Sequence, residues 1–361
     1  MRSFKRSFLA FLCCVLFAQS ALGAEFVKFV DDSGQEVTVP RSPERVLITS
    51  IMPLTSVYCL YRGGITGLIG ISDGTKVAAR YSYLAKMFPK ILDIPSDFMK
   101  GGEVNVEEVL KLKPDIVFYN AARPEEGEAY RRIGLPAVCF RTEKYHGDPL
   151  GTIADWLGYL ERVFGAGEGT AGVSDYGMKT LQTVRDRIAA AGDLKRPKAV
   201  IFAGYSGNQL VASGSNHYSE FYLRECGAVN VAAEIDGQKG VNLEQVYEWD
   251  PEVILINNFC PYVPEDFYEN KIAGYDWGLV SAVKNKRVYK FPLGIYRWYP
   301  PSGDTPLCIL WVAQQLHPEL FSDVDIAKEL RDYYQKFYHY EPTDEDIAKI
   351  LHPGREAAIF N

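Results

Sequence analysis

The sequence predicts an α/β protein made of two Rossmann-like lobes with mainly parallel sheets, joined by one long α-helix. The first observation is a passage that occurs twice. Residues 104–117 and 241–254 each contain a short helix, an acid-flanked proline and a buried strand. The second is the alternation of apolar strands with helical segments in both halves, which is typical of parallel sheets covered by helices. The third is a long helical pattern between the halves, over about residues 169–191.

The two copies of the repeated passage carry matching local signals. Asn105 and Asn242 are suited to cap helix N-termini, and Pro114 and Pro251 end those helices. The copies lie 137 positions apart, far beyond the period of roughly 20–50 residues that marks stacked repeats. Two similar lobes leave a cleft between them, so the sequence predicts a clamshell binding protein.

The connector is predicted to be rigid. Some 23 helical residues at 1.5 Å each form a rod of roughly 35 Å, long enough to pass from one lobe to the other. The predicted parts are a signal peptide at 1–24, an N-terminal α/β lobe at 25–148, a helical connector with the long inter-lobe helix at 149–195, a C-terminal α/β lobe at 196–320 and a helical tail at 321–361.

The N-terminus has the pattern of an export signal. Three basic residues precede the apolar run Phe8–Ala18, and small residues follow near Gly23 and Ala24. The run is too short for a spanning helix, which needs about 20 residues. We therefore expect a cleavable signal peptide, with cleavage near Gly23 or Ala24, and a periplasmic protein.

The composition narrows the classes of partner. The formal net charge is −7 with no basic cluster, which disfavours nucleic-acid binding. Five cysteines lie beyond the predicted signal, widely spaced and mostly in apolar runs. They are predicted to be small buried hydrophobic residues, although one or two disulfides stay possible. These cysteines are Cys59, Cys139, Cys226, Cys260 and Cys308.

Several stretches together resemble one known family, the class III periplasmic binding proteins. These are the Fe³⁺-siderophore, haem and cobalamin receptors of ABC importers. The resemblance covers nearly the whole chain after the signal, and the tail is most similar to a subgroup of iron-chelate and molybdate or tungstate receptors. The stretches are residues 30–40, 43–46, 68–72, 112–117, 275–289 and, in the tail, 321–325 and 333–338.

The resemblance implies a transport role and a partner. We expect a monomer that delivers its ligand to an inner-membrane ABC permease with ATPase subunits. Glu107 and Glu244 occupy equivalent places in the two repeats. In this family, glutamates at these positions dock the lobes onto permease arginines. The alternative is that both are acids favoured at a helix N-terminus by the helix dipole.

The ligand site is expected outside the carboxyl ends of the strands, as in other open α/β sheets. Arginine binds oxyanions in a bidentate way, and tyrosine and tryptophan form flat walls with a polar tip. Two of the candidates also have a structural explanation. Trp298 could instead cover the hydrophobic edge of the second lobe, and His217 could instead be a surface residue at the start of a helix. The candidates are Met52, Tyr81, Tyr119, Arg123, Tyr205, His217, Tyr296, Arg297 and Trp298.

Two ligand classes stay open. The first is an iron(III)-siderophore or a similar metal chelate such as haem or a corrinoid, and the alternative is a molybdate or tungstate oxyanion. A direct zinc or manganese receptor is disfavoured because five scattered histidines do not form the convergent ligand set that it needs. No nucleophile elbow, zinc-protease helix, P-loop or dinucleotide motif occurs. The sequence thus predicts a protein that is not an enzyme and carries no cofactor or metal of its own.

Overall fold

The computed structural model describes residues 25–100, 103–167, 172–274 and 276–359. The predicted signal peptide therefore lies outside the described residues. A β-hairpin opens the described chain, and the first lobe follows. Its elements are β1 (Phe26–Val30), β2 (Glu36–Pro40), β3 (Val46–Ile48), α1 (Leu54–Arg62), β4 (Leu68–Ile71), α2 (Asp73–Tyr81), α3 (Tyr83–Met87), β5 (Met99–Lys100), β6 (Glu103–Val104), α4 (Val106–Lys111), β7 (Ile116–Asn120), α5 (Pro124–Arg132) and β8 (Ala137–Phe140).

The main sheet of the first lobe is parallel throughout. Its strand order is β4-β3-β7-β8. Val46 pairs with Ile116, and Val117 pairs with Ala137. Because all four strands run in one direction, their carboxyl ends share one edge of the sheet, where the ligand-site rule places functional loops.

The second lobe has a mixed sheet. The strand order is β12-β10-β9-β13-β14, with β11 beside β9. Strands β9, β11, β13 and β14 are parallel, and β10 and β12 add an antiparallel edge. The elements are β9 (Lys198–Ser206), β10 (Gln209–Ser213), α8 (Tyr218–Glu225), β11 (Val229–Asn230), β12 (Gln238–Val241), α9 (Leu243–Trp249), β13 (Val253–Ile256), α10 (Pro264–Tyr268), α11 (Ser281–Lys284) and β14 (Val288–Lys290).

Helices link the lobes and form the tail. The predicted long helix is present as α7, and residues 168–171 before it lie outside the described part of the chain. Within the described ranges no helix is both long enough and apolar enough to cross a bilayer. The helices are α6 (Pro149–Phe164), α7 (Val173–Ala190), α12 (Thr305–Leu316), α13 (Ile326–Tyr333) and α14 (Asp344–Leu351).

The repeated passage has the same structure in both lobes. Asn105 caps α4 by accepting from the N–H of Glu107, and Asn242 caps α9 by accepting from the N–H of Gln245. The acid after each proline then anchors the start of the neighbouring strand. Asp115 accepts from the N–H of Arg45 at 2.9 Å. In the second lobe, Glu252 accepts from the N–H of Lys198 at 3.0 Å.

One apolar core is shared by the two lobes. Alternate residues of each central strand face opposite sides of the sheet. Ile116 and Val253 lie in one continuous cluster that also holds Leu181 of α7, whereas Val117 and Ile254 lie in separate outer clusters. The lobes are thus joined by packed helices as well as by the chain, and the predicted boundaries at 148, 195 and 320 stay a prediction.

The five cysteines are buried, and the described residues show them as free thiols.

A buried carboxylate ties the tail to the second lobe. Asp304, just before α12, is fully buried and accepts from Tyr334 and Tyr338 of the tail at 3.0 and 3.1 Å. It also accepts from the indole N–H of Trp298 at 3.0 Å and the backbone N–H of Ile295 at 2.9 Å. Burial raises the pKa of Asp304 to about 6, against these four hydrogen bonds, which favour the ionised form.

Asp304→Ala should destabilise the protein by about 3 kcal/mol or more, because four buried donors lose their acceptor. The measurement is the free energy of unfolding in denaturant at pH 7. Asp325→Ala is the matched control. It removes only the exposed cap of α13, which is worth about 1 kcal/mol.

The pH dependence of stability should differ between wild type and Asp304→Ala. A pKa raised in the folded state means that folding takes up a proton, so the contribution of Asp304 becomes less favourable as pH rises from about 4 to about 6. Asp304→Ala lacks this carboxyl group, so its free energy of unfolding should not contain this dependence on pH. Parallel stability profiles across that range would contradict the assignment.

Candidate functional site

A cavity of about 360 Å³ lies where the two lobes meet. Its lining comes mainly from the second lobe, at the carboxyl ends of β9 and β13 and along β10 and β12. One residue, Glu143, comes from the first lobe, just after β8. The polar and aromatic lining residues are Glu143, Tyr205, Ser206, His217, Tyr218, Gln238, Asn257, Phe259 and Tyr299.

Strand pairing brings Ser213 and Gln238 together beside His217. Ser213 ends β10, and it pairs with Gln238 of β12. After β10 the chain turns through Gly214, where a Cβ atom would lie 2.0 Å from the carbonyl oxygen of Ile235. Only glycine allows this approach, which carries the chain to His217 at the start of α8.

His217 is the centre of the hydrogen-bond network in the cavity. It is 6% exposed. Its Nδ1 lies 2.8 Å from the hydroxyl of Tyr299 and 3.1 Å from that of Ser213. Its Nε2 lies 2.9 Å from the side-chain amide of Gln238. An amide offers either a donor or an acceptor, so Gln238 suits both tautomers of the imidazole.

The electrostatics of the cavity are set by burial and by one carboxylate. Burial raises the pKa of Tyr299 and of Tyr218, so both phenols stay neutral and can donate hydrogen bonds. Glu143 reaches within 3.4 Å of His217 Nε2. The hydrogen bond to His217 holds the pKa of Glu143 below its ordinary value.

Contacts between the lobes fix the cavity wall. The hydroxyl of Tyr218 donates to the carbonyl of Thr142 at 2.8 Å. Gly147, with φ +84°, packs so closely on the backbone of His217 that a Cβ atom would lie 2.4 Å from its carbonyl carbon. The loop that follows β8 therefore packs against the loop that carries His217 and fixes its position.

Of the nine predicted ligand residues, the structure brings Tyr205 and His217 to this cavity. Tyr205 lies at the end of β9 and packs edge-on against Tyr262, with ring centroids 5.2 Å apart. The structure thus places Tyr205 and His217 on one wall of the second lobe, and their role as ligand contacts stays a prediction.

The segment with Tyr296, Arg297 and Trp298 lies inside the protein, where these side chains are at most 3% exposed. Arg297 donates to the carbonyls of Ala357 and Ile359 in the last turn, at 3.2 and 3.0 Å, and stacks over Phe259. Trp298 packs in the shared core. The tail covers the strand end that the sequence suggested would be open, so we leave these three residues out of the proposed ligand contacts.

The first-lobe candidates lie apart from the lining of the cavity. Tyr119 is 3% exposed and packs edge-on against Tyr130 in an outer core cluster, so we leave it out as well. Met52 is half-buried in the turn after β3, and Tyr81 is 37% exposed at the end of α2. Arg123 lies at the start of α5, beside Glu125 at 3.9 Å.

Among the lining residues that the sequence analysis did not name as candidates, four lie closest to the chemistry of His217. Glu143 follows β8 and obeys the strand-end rule, so the rule itself could have found it. Tyr299 and Tyr218 lie beside predicted residues, in an aromatic run and at a helix start. Gln238 reaches His217 only through the antiparallel pairing of β10 with β12, for which the sequence has no clear signal.

A second cavity, of about 730 Å³, lies between the second lobe and the tail, with Trp311, Lys290 and Arg355 among its lining residues. None of the predicted ligand residues lines it. The smaller cavity is the candidate site because residues of both lobes meet there.

Family comparison agrees with this geometry. The family profile described as "Periplasmic binding protein" matches residues 74–293, more than half of the chain. The chain belongs to this family. With its two α/β lobes and packed inter-lobe helix, it is a class III periplasmic binding protein, as the sequence predicted.

Three relatives of this periplasmic binding protein have informative names. The molybdate-binding protein MolA of Haemophilus influenzae is 27% identical over 92% of this chain and 97% of its own. The Fe(3+)-citrate-binding protein YfmC of Bacillus subtilis is 23% identical over 73% and 77%. A solved periplasmic solute-binding protein of Veillonella parvula is 28% identical over 91% and 97%, with a TM-score of 0.81.

A solved structure of MolA bound to molybdate aligns with 88% of this chain and 99% of its own. The TM-score is 0.73 at 24% identity, a likeness that shows the fold alone.

Gly147→Ala should disturb the cavity as well as the fold. The new methyl group would push on the backbone of His217, at a cost of about 1–3 kcal/mol beyond the backbone strain. Gly134→Ala is the matched control, because Gly134 also has positive φ but open space around it. Denaturant unfolding of both variants measures the difference. Equal losses of stability would show that the contact between Gly147 and His217 is not tight.

Proposed function

We propose that this periplasmic binding protein captures a molybdate- or tungstate-type oxyanion in the cavity around His217 and delivers it to an inner-membrane ABC permease. The observation that carries the ligand choice is the match to MolA, a protein named for molybdate binding, over 97% of its length. YfmC and a haem uptake protein of Staphylococcus aureus match over smaller shares of their own chains, 77% and 66%. Export by a cleaved signal peptide is part of the proposal.

The chemistry of the cavity supports an anion held by hydrogen bonds. The imidazole of His217, the hydroxyls of Tyr205 and Tyr299 and the amide of Gln238 can all donate into one space. Arg297, which the sequence suggested would bind an oxyanion, instead donates hydrogen bonds to backbone carbonyls of the tail. We therefore assign the anion to the neutral donors and to His217, whose protonated form adds a charge-assisted hydrogen bond.

A ferric chelate is the second candidate, and two observations favour it. A volume of 360 Å³ exceeds what one tetrahedral oxyanion fills and lies at the lower end of the range of about 300–1,000 Å³ for larger ligands. In addition, Asn257 lines the cavity, and its buried Oδ1 has no hydrogen-bond donor among the described residues. A hydroxyl-bearing chelator would supply one.

Calorimetric titration of the purified chain separates the two candidates. Molybdate and tungstate should each saturate at one anion per chain, and ferric citrate should not bind. His217→Ala should weaken molybdate binding by at least about tenfold, or about 1.4 kcal/mol, through the loss of a central hydrogen bond. His352→Ala, an exposed histidine at the second cavity, is the matched control and should bind like wild type.

The opposite result, saturation by ferric citrate without binding of either oxyanion, would move the assignment to the chelate. Equal effects of the two histidine substitutions would contradict the location of the site.

Docking onto the permease is assigned to Glu107 and Glu244. Both side chains are exposed in the first turns of α4 and α9, the equivalent helices of the two lobes. Two carboxylates on separate, rigidly joined lobes present a fixed pair of charges, which suits bidentate binding by two arginines.

The double substitution Glu107→Ala with Glu244→Ala should abolish uptake of the ligand by cells and leave its affinity for the purified protein unchanged. The matched control changes Glu108 and Glu248, which lie on the same two helices, and should leave uptake close to wild type. Normal uptake by the first variant, or equal loss in both, would exclude this docking role.

A further inference from the structure

A carboxylate of the first lobe contacts the imidazole that lines the cavity of the second lobe. Glu143 Oε1 lies 3.4 Å from His217 Nε2. The other ring nitrogen, Nδ1, already lies beside Tyr299 and Ser213. Nε2 lies beside the side-chain amide of Gln238 at 2.9 Å and beside Glu143, so an incoming group that binds this nitrogen replaces the amide and meets the carboxylate.

Flanking contacts hold Glu143 in this place. On one side, Tyr218 donates to the carbonyl of Thr142. On the other, Nδ1 of His146 lies 3.4 Å from the side-chain oxygen of Asn216. Glu143 thus stands between two points where its loop touches the loop of His217, and little conformational entropy is lost when it meets the imidazole.

The carboxylate is charged and accessible. Its side chain is 56% exposed at the rim of the cavity, whereas that of His217 is 8% exposed. The nearby imidazole, followed by the positive charge of Arg141, holds the pKa of Glu143 below its ordinary value. At neutral pH an anionic ligand therefore meets a like charge directly beside its principal donor.

We infer that Glu143 is a specificity-determining residue that acts as a tethered anion. It occupies His217 in the empty protein and has to withdraw when an anionic ligand enters. The inference rests on the proposed function, because it concerns anions bound at His217. It extends that function by stating which ligands the cavity disfavours. The repulsion grows with ligand charge, so dianions are penalised more than monoanions.

The test is calorimetric titration of wild type, Glu143→Gln and Glu161→Gln with molybdate at low ionic strength. Glutamine keeps the shape of Glu143 and removes its charge. Glu143→Gln should bind molybdate at least about tenfold more tightly than wild type, because like charges a few ångströms apart repel strongly near a protein surface. Glu161→Gln removes one negative charge from α6 of the connector, outside the cavity lining, and should bind like wild type.

An unchanged or weaker affinity of Glu143→Gln, or equal gains in both variants, would overturn the inference. The proposed ligand is judged separately. If wild type binds ferric citrate but neither molybdate nor tungstate, the oxyanion proposal fails, and the anionic ferric citrate complex becomes the probe for Glu143 with the same expected gain.

If wild type binds none of these anions, the proposed function fails, and the contact is judged in the free protein by histidine NMR. Glu143→Gln should then shift the Nε2 resonance of His217, whereas Glu161→Gln should not. An unshifted resonance in Glu143→Gln would overturn the inference.

Discussion

The apolar core shared by the two lobes fixes how the sheets and the cleft are arranged. One face of each sheet packs into it, and α6, α7 and α12 fill the space between the sheets. Opening the lobes widely would pull this cluster apart and expose apolar area, at about 25 cal/mol for each Å². The cleft therefore has walls set by folding, and we expect binding to adjust loops and side chains more than it moves lobes. Preformed walls lower the entropic cost of capturing a small ligand.

The tail packs against the second lobe and binds Arg297, so the polar groups of the candidate site do not include this arginine. Through Asp304, two tail tyrosines hold the segment that begins at Ile295 and contains Trp298. Backbone carbonyls in the last turn of the tail then accept hydrogen bonds from the guanidinium of Arg297. The donors left for a ligand come from β9, β12, the start of α8 and the loop that carries Tyr299, all on the second lobe. The first lobe adds one carboxylate, so the two walls of the cavity have opposite electrostatic character.

Local patterns in the sequence were sufficient for the fold and for part of the site. The repeat, the asparagine caps and the prolines predicted two lobes, because each of these signals acts within a few residues. Tyr205 was found because it follows a predicted strand, and His217 because it lies at a predicted helix start. Arg297 was assigned to the cleft because the sequence cannot show that residues some 60 positions later cover it. Gln238 was missed for the converse reason, since only the pairing of β10 with β12 brings it to His217. Long-range contacts, not local propensity, decide which strand ends stay open.

In the proposed site, an oxyanion binds between His217 and the carboxyl ends of the second-lobe strands. The most direct measurement is an anomalous difference map from crystals of the protein loaded with tungstate, because tungsten gives a strong and element-specific signal. We expect one peak per chain, with the tungstate oxygens within hydrogen-bonding reach of His217 and Tyr299 and with Glu143 turned away from the imidazole. A peak in the cavity beside Lys290 and Arg355, or no ordered peak, would contradict it.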